Sequence, residues 1–239
     1  MVWLWQNIFY QPLFNLLVLI YNLTGDLGLA IILLTLLLKL LLYPLSRRSL
    51  QSQKALQELQ PKVEELKKKF SNDKEKMSRE LMTLYQQERV SPFSSCLPLL
   101  IQLPFLFALY SVFRQGLSST GWESLYYFVA QPSHISDLFL GFWSLSKPNI
   151  VLAVVTGLAQ YWQAKMLIHQ KPAVQSAGSK DEGIMATMNK QTLYMMPVMT
   201  VIFGLTLPSG LILYWLVNTL VTVLQQYLTF FHHGTKQIS

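Results

Sequence analysis

LGLAIILLTLLLKLLLY, Leu27–Tyr43, is a run of seventeen residues with a single charge, Lys39. If this segment enters a bilayer, a cation at its position costs on the order of 2.5–3.5 kcal/mol on insertion scales. Such a residue usually faces a protein interior or a wet cavity. The alternative is snorkelling: Lys39 lies five residues before Pro44, so its charge is only about 8 Å from the end of the helix. The run alone leaves both readings open.

The whole chain points to a membrane. Of its 239 residues 51% are hydrophobic and 13% charged, against roughly 25% charged in soluble domains, and the mean hydropathy is +0.32. An integral membrane protein is expected, with room for several spans and little for a separate soluble domain. The net charge of +7 is unevenly spread. Eleven Lys and Arg fall between Arg47 and Arg89, where seven acids leave a net +4. Beside membrane spans such a patch marks the cytoplasmic side. Anionic lipid and ribosomal RNA are candidate partners, and specific DNA binding is not expected. Cys96 is the one cysteine, which excludes an intramolecular disulfide. MVWLWQNIFYQPLF at the start has neither a basic region nor a small-residue cleavage site, so no cleavable signal peptide is expected.

Residues 1–26 are apolar but carry Asn7, Gln11, Asn15 and Asn22 at spacings that share one helical face. They predict an amphipathic helix in the outer interface, with a further span as the competing reading. The first span, 27–45, is closed by Pro44 and followed by Arg47 and Arg48. Residues 46–92 read as a cytoplasmic helical hairpin. Leu56, Leu59, Val63, Leu66 and Phe70 line one arm, Ser71-Asn72-Asp73 makes the turn, and Met77, Leu81, Leu84 and Tyr85 line the other. This hairpin is expected to move freely instead of packing into the bundle. The second span is 93–114, with Pro98 and Pro104. Residues 115–149 form an outer loop whose Trp122, Tyr126, Tyr127 and Trp143 suit an interfacial belt. The third span is 150–168, and 169–190 is a cytoplasmic loop. The fourth, 191–207, is short for a hydrocarbon core of about 30 Å. Pro208-Ser209-Gly210 turns the chain into the fifth, 208–231, before a cytoplasmic tail, 232–239. The inner segments hold eleven, four and one Lys or Arg, and the outer ones only Arg114 and Lys147. Five spans with the N-terminus out and the C-terminus in satisfy the positive-inside rule.

Catalytic signatures are missing. GxxxxGK[ST], HExxH and GxSxG do not occur, and no acid lies inside a span, which excludes a paired-aspartate intramembrane protease. No catalytic residue, metal site or cofactor is expected. The spans do hold inert polar groups. Thr35 is one turn from Lys39 on the same face. Gln102, counted from the inner end of its span, lies at about the depth of Lys39. Gln160 and Gln163 are in the inner half of the third span. Asn218, Thr222, Gln225 and Gln226 make a stripe on the fifth. Any one of these could simply hold helices together. Collectively they suggest a hydrated cavity open to the cytoplasm and closed outside.

Three stretches carry a family likeness. AIILLTLLLKLLLYPLSRR, LQPKVEELKKKFSNDKEKMSRELMTLYQQERVSPFSSCLPLLIQLPFLFALY and MMPVMTVIFGLTLPSGLILYWLVNTLVTVLQQ occur in order and at matching spacing. With them the chain resembles the YidC/Oxa1/Alb3 family of membrane protein insertases, in a short bacterial form. The resemblance implies an all-α fold of five transmembrane helices around a hydrophilic groove open to cytoplasm and lipid. It also implies a multi-pass place in the inner membrane and a non-enzymatic, ATP-independent insertase and chaperone. It implies nascent membrane proteins as clients, lipids, the ribosome and the Sec channel as candidate partners, and a monomer. The groove's cation is Lys39 here, where the family usually has Arg. Thr35, Gln102 and the Tyr214-Trp215 pair fall at groove-lining positions. Gln163, Asn218 and Gln225 complete the expected substrate-binding set. A small-solute channel or transporter, and a structural subunit of a Sec-type translocase, are the readings that compete.

Overall fold

Gly25 and Asp26 make the first corner. Gly25 sits at φ 68, in the left-handed region that a Cβ disfavours, and its N–H bonds the carbonyl of Tyr21. Asp26 then starts the next helix by accepting the Leu29 N–H on Oδ1 at 2.9 Å. In the computed structural model this corner joins α2 (Gln11–Thr24) to α3 (Leu27–Leu41). The model describes residues 2–71, 73–88, 90–91, 97–116, 121–168 and 191–232. Cys96, Lys171, Lys180, Lys190 and the tail after His232 lie outside the described residues.

A short α1 (Val2–Trp5) reaches α2 through a π turn, Gln6–Tyr10. That irregularity directly precedes Pro12, whose ring and missing N–H disturb the regular bonding pattern. Leu13, Phe14, Leu17, Val18 and Tyr21 of α2 are buried with Leu27, Ala30, Ile31 and Leu34 of α3 in one core. Phe9 also meets Phe105 edge-on. The N-terminal helix is therefore packed into the core, and the polar face read from its sequence needs correction. Asn15 is 3% exposed. Its Nδ2 donates to the Gln11 and Ser124 carbonyls, and its Oδ1 accepts the Tyr126 N–H. Asn22 donates to the Ala130 carbonyl. Two members of the stripe hold a loop, where headgroup contact was expected.

At Leu42 the chain bends by 69° into α4 (Tyr43–Glu58). Pro44 causes this: it cannot donate to α3 and restricts the residue before it. Pro61 breaks the first arm of the hairpin in the same way, so α5 (Gln60–Lys69) is a separate helix. Asp73 caps α6 (Lys74–Gln87) by accepting the Lys76 N–H. Leu56, Leu59 and Val63 are buried, as an apolar stripe requires. The expectation of a free hairpin fails at its root, because α4 packs against the helices described next.

α7 (Leu97–Ser111) continues as a π turn, Val112–Gly116. α8 (Ile150–Ile168) packs on α9 (Met196–Gly204), itself preceded by a π turn, Gln191–Met195, and on α10 (Ser209–His232). A Cβ on Gly204 would stand 2.4 Å from that of Ala153, so the close approach of α8 and α9 depends on a bare Cα. Among the described residues Ser209–Thr229 is one helix long and apolar enough to cross a membrane. α3 and α4, taken as one bent pair, would be a second.

Residues 121–149 cover one end of the bundle, the loop end. A two-residue hairpin, β1 (Leu138–Phe139) and β2 (Trp143–Ser144), lies over the head of α3. There the Phe139 ring occupies the place a Cβ on Gly28 would need. The N–H groups of Ser209 and Gly210 bond the Lys147 and Leu145 carbonyls, so α10 starts from the same loop. Of the four aromatics expected in an interfacial belt, Trp122, Tyr126 and Trp143 are half-buried against the core, and Tyr127 is fully exposed.

Candidate functional site

α3 and α10 run side by side from the loop end. Lys39 is twelve residues below the head of α3, and Thr222 is thirteen below that of α10. Lys39 Nζ donates to Thr222 Oγ1 at 2.8 Å, and Thr222 donates in turn to the Asn218 carbonyl. The ammonium is half-buried and has three donors, of which Thr222 takes one. Among the described residues no carboxylate pairs with it; the ion pairs there are Lys54–Glu58, Lys62–Glu88 and Arg79–Glu75, all on α4, α5, α6 and their ends. A cation at such a place, without its own counter-charge, exerts a field that a visiting anionic group could satisfy.

Gln102 of α7 donates from Nε2 to the buried Tyr214 hydroxyl at 2.6 Å. Tyr214 and Thr222 are eight residues apart on α10, or about 12 Å at 1.5 Å per residue. Gln102 thus lies nearer the loop end than Lys39, which corrects the common depth read from the sequence. That reading counted residues from the start of an apolar run, and the start of a run does not fix where a helix sits against its neighbours.

Thr35 is fully buried, and its hydroxyl bonds the Ile31 carbonyl at 2.6 Å. It is part of the α3 packing surface and does not present a polar group to open space. Gln163, Trp215 and Asn218 are half-buried. Gln225 is buried, as is its neighbour Gln226 at 1% exposed, and the Oε1 of each has no hydrogen-bond partner. Buried amide acceptors in that condition are costly. Gln160 serves another purpose: its Oε1 accepts the Thr200 hydroxyl at 2.6 Å and clasps α8 to α9. The structure therefore brings Lys39 to the Thr222–Asn218 turn and Gln102 to Tyr214, and it keeps the two pairs apart. Reasoning from sequence missed the Tyr214 hydroxyl as the partner of Gln102 and Thr200 as that of Gln160. Both pairings join positions far apart in the chain, and no local pattern announces them. Among the described residues no three His, Cys, Asp or Glu side chains gather to hold a metal.

The arrangement has relatives. The family model for the 60Kd inner membrane protein matches residues 19–235. The membrane protein insertase YidC of Geobacter sulfurreducens is 34% identical over 223 residues, which are 93% of this chain and 37% of that protein. This chain thus spans little more than a third of that relative. The YidC of Fusobacterium nucleatum subsp. nucleatum is 34% identical over 203 residues, 85% of either chain. A crystal structure of active YidC insertase with its first transmembrane domain resolved superposes with a TM-score of 0.60. It is 30% identical and covers 93% of this chain and 46% of its own. The match runs from within α2 through α10 and so takes in the Lys39–Thr222 and Gln102–Tyr214 pairs together, and on it this chain belongs to the 60Kd inner membrane protein family, the family of the YidC membrane protein insertases.

Proposed function

We propose that this protein is a membrane protein insertase. It receives segments of nascent membrane proteins beside Lys39 and releases them sideways into lipid, with no ATP and no covalent chemistry. The observation that carries this reading is a half-buried cation on an apolar helix, bonded to a neutral hydroxyl and, among the described residues, to no carboxylate. On this reading α3, α7, α8, α9 and α10 are five spans, the loop end faces outward and the hairpin lies in the cytoplasm. The half-buried Lys39, Gln102, Gln163, Trp215 and Asn218 line the groove. Thr35, Tyr214 and Gln225 form the wall behind it.

The physical advantage is a shorter dry path. A polar client segment pays several kcal/mol per unsatisfied group in hydrocarbon. A wet groove replaces part of that path, and Lys39 draws acidic residues of the translocated segment into it. The apolar helix Leu193–Gly204 has twelve residues, about 18 Å long against a hydrocarbon core of about 30 Å, which favours local thinning. Exposed Met195, Met196 and Met199 on and beside it offer an adaptable apolar surface to varied client helices. Hydrophobic partition and the membrane potential then drive release.

The test is insertion into liposomes by the purified protein, with a client whose translocated segment is acidic. Lys39→Arg should keep activity, and Lys39→Ala should lower it several-fold while sparing a client with a neutral segment. Equal insertion of both clients by Lys39→Ala, at normal expression, would refute the groove-charge mechanism. Solute flux through the same liposomes without client would favour a channel instead.

A further inference from the structure

The turn between β1 and β2 has an unusual construction. Leu138-Phe139-Leu140-Gly141-Phe142-Trp143 contains no charged residue. Leu140 holds φ 52, a conformation that glycine, Asn or Asp would adopt at lower cost. The strained residue is nonetheless a leucine, and it is 58% exposed, with Phe142 beside it at 73%. Phe142 touches the Trp143 ring, but burial does not account for two large apolar side chains that stay this exposed on a strained turn.

Three N–H groups of the turn have partners. The Leu138 N–H bonds Ser136 Oγ, the Leu140 N–H bonds Asp26 Oδ2 at 2.6 Å, and the Phe142 N–H bonds the Phe139 carbonyl. The neighbouring carboxylates are engaged as well. Asp26 caps α3, and Asp137 accepts the Ser144 hydroxyl, which holds its carboxyl below the usual range. With these N–H groups paired and its apolar side chains outward, the segment can leave water with few stranded donors. Its place is fixed, because Asp26 ties the turn to the head of α3. Down the side of α3 run the exposed Leu29, Leu33 and Leu37. The turn thus continues an apolar surface at its upper rim.

We propose that the turn Phe139–Phe142 is a membrane anchor. Leu140 and Phe142 insert among the headgroups and upper acyl chains of the leaflet at the loop end, and Asp26 passes that hold to α3. The partner is a lipid surface. The inference rests on reading α3 as a span, and the test separates the two.

Spin labels are placed at Leu140→Cys, Phe142→Cys, Leu37→Cys and Ser133→Cys, each in a Cys96→Ser background. The proteins are reconstituted into phosphatidylethanolamine–phosphatidylglycerol vesicles. Collision with oxygen, which concentrates in lipid, is compared with collision with a water-soluble nickel chelate. Position 37 should favour oxygen strongly, position 133 the chelate, and positions 140 and 142 should favour oxygen several-fold over position 133. If 37 lies in lipid while 140 and 142 match 133, the anchor is refuted and the span stands. If 37 itself matches 133, the span fails and the anchor falls with it.

Discussion

Replacing Thr222 with valine keeps the shape of the side chain and removes the one acceptor that Lys39 has among the described residues. Two magnitudes compete. If the Lys39 ammonium sits in a dry site, losing a hydrogen bond to a charged group costs about 1.5–3 kcal/mol. If it lies in a wet groove, water takes over and the loss resembles that of an average polar pair between membrane helices, about 0.6 kcal/mol. The proposed function requires the second value. For a domain of this size 1 kcal/mol shifts the melting temperature by about 2–4 °C, so a wet site predicts a fall of only about 1–2 °C. The measurement is a double-mutant cycle of Thr222→Val and Lys39→Met, followed by reversible unfolding in mixed micelles. A coupling energy near 0.6 kcal/mol is expected. A coupling above about 1.5 kcal/mol would make Lys39 a structural strut with its charge committed to α10, and the groove-charge reasoning would be wrong.

Two further results are expected. Gly210→Ala puts a Cβ 2.2 Å from the Phe113 ring, so it should destabilise by about 1–3 kcal/mol, as overpacking does; a lower melting temperature that Phe113→Leu restores would confirm the cause, and no change would show that the α10 head is not held there. Cysteines at 39, 102 and 35 in a Cys96→Ser background should react with an impermeant thiol reagent fastest at 39, more slowly at 102 and hardly at 35, from the hairpin side only. Equal rates at all three would contradict the separation of the Lys39 and Gln102 levels.

Local chemistry in the sequence was a good guide, and tertiary pairing was not. Gly25-Asp26 reads as a stop and a start, and Pro44 as a helix end, because each acts through its own backbone. The polar stripe of the N-terminal helix was legible as a stripe. Its use was not, because Asn15 and Asn22 find their partners more than a hundred residues away. In the outer loop the sequence pointed to Trp122, which packs on Phe14, and gave no sign that Leu140 and Phe142 would stand out. Of the candidate site, Lys39 announced itself by isolation in an apolar run. Thr35, on the same face of the same helix, gave no sign that its hydroxyl would turn back to the Ile31 carbonyl.

The two ends of the bundle are held by different means. At the loop end Asn15, Asn22, Tyr21, Asp26 and the N–H groups of Ser209 and Gly210 all bond across elements. Every helix that starts or stops there is tied to the 121–149 segment or to the core beneath it. Toward the hairpin end, among the described residues, α10 carries buried amides, Gln225 and Gln226, whose Oε1 atoms are unpaired, as Trp143 Nε1 is at the loop end, and α4 leaves at a sharp bend. Cross-linked polar groups resist separation, since parting them strands donors and acceptors, whereas unpaired amides gain when water or a client enters. On the proposed reading, water or a polar client segment entering beside Lys39 satisfies the Gln225 and Gln226 acceptors, so burying them without partners favours opening at that end.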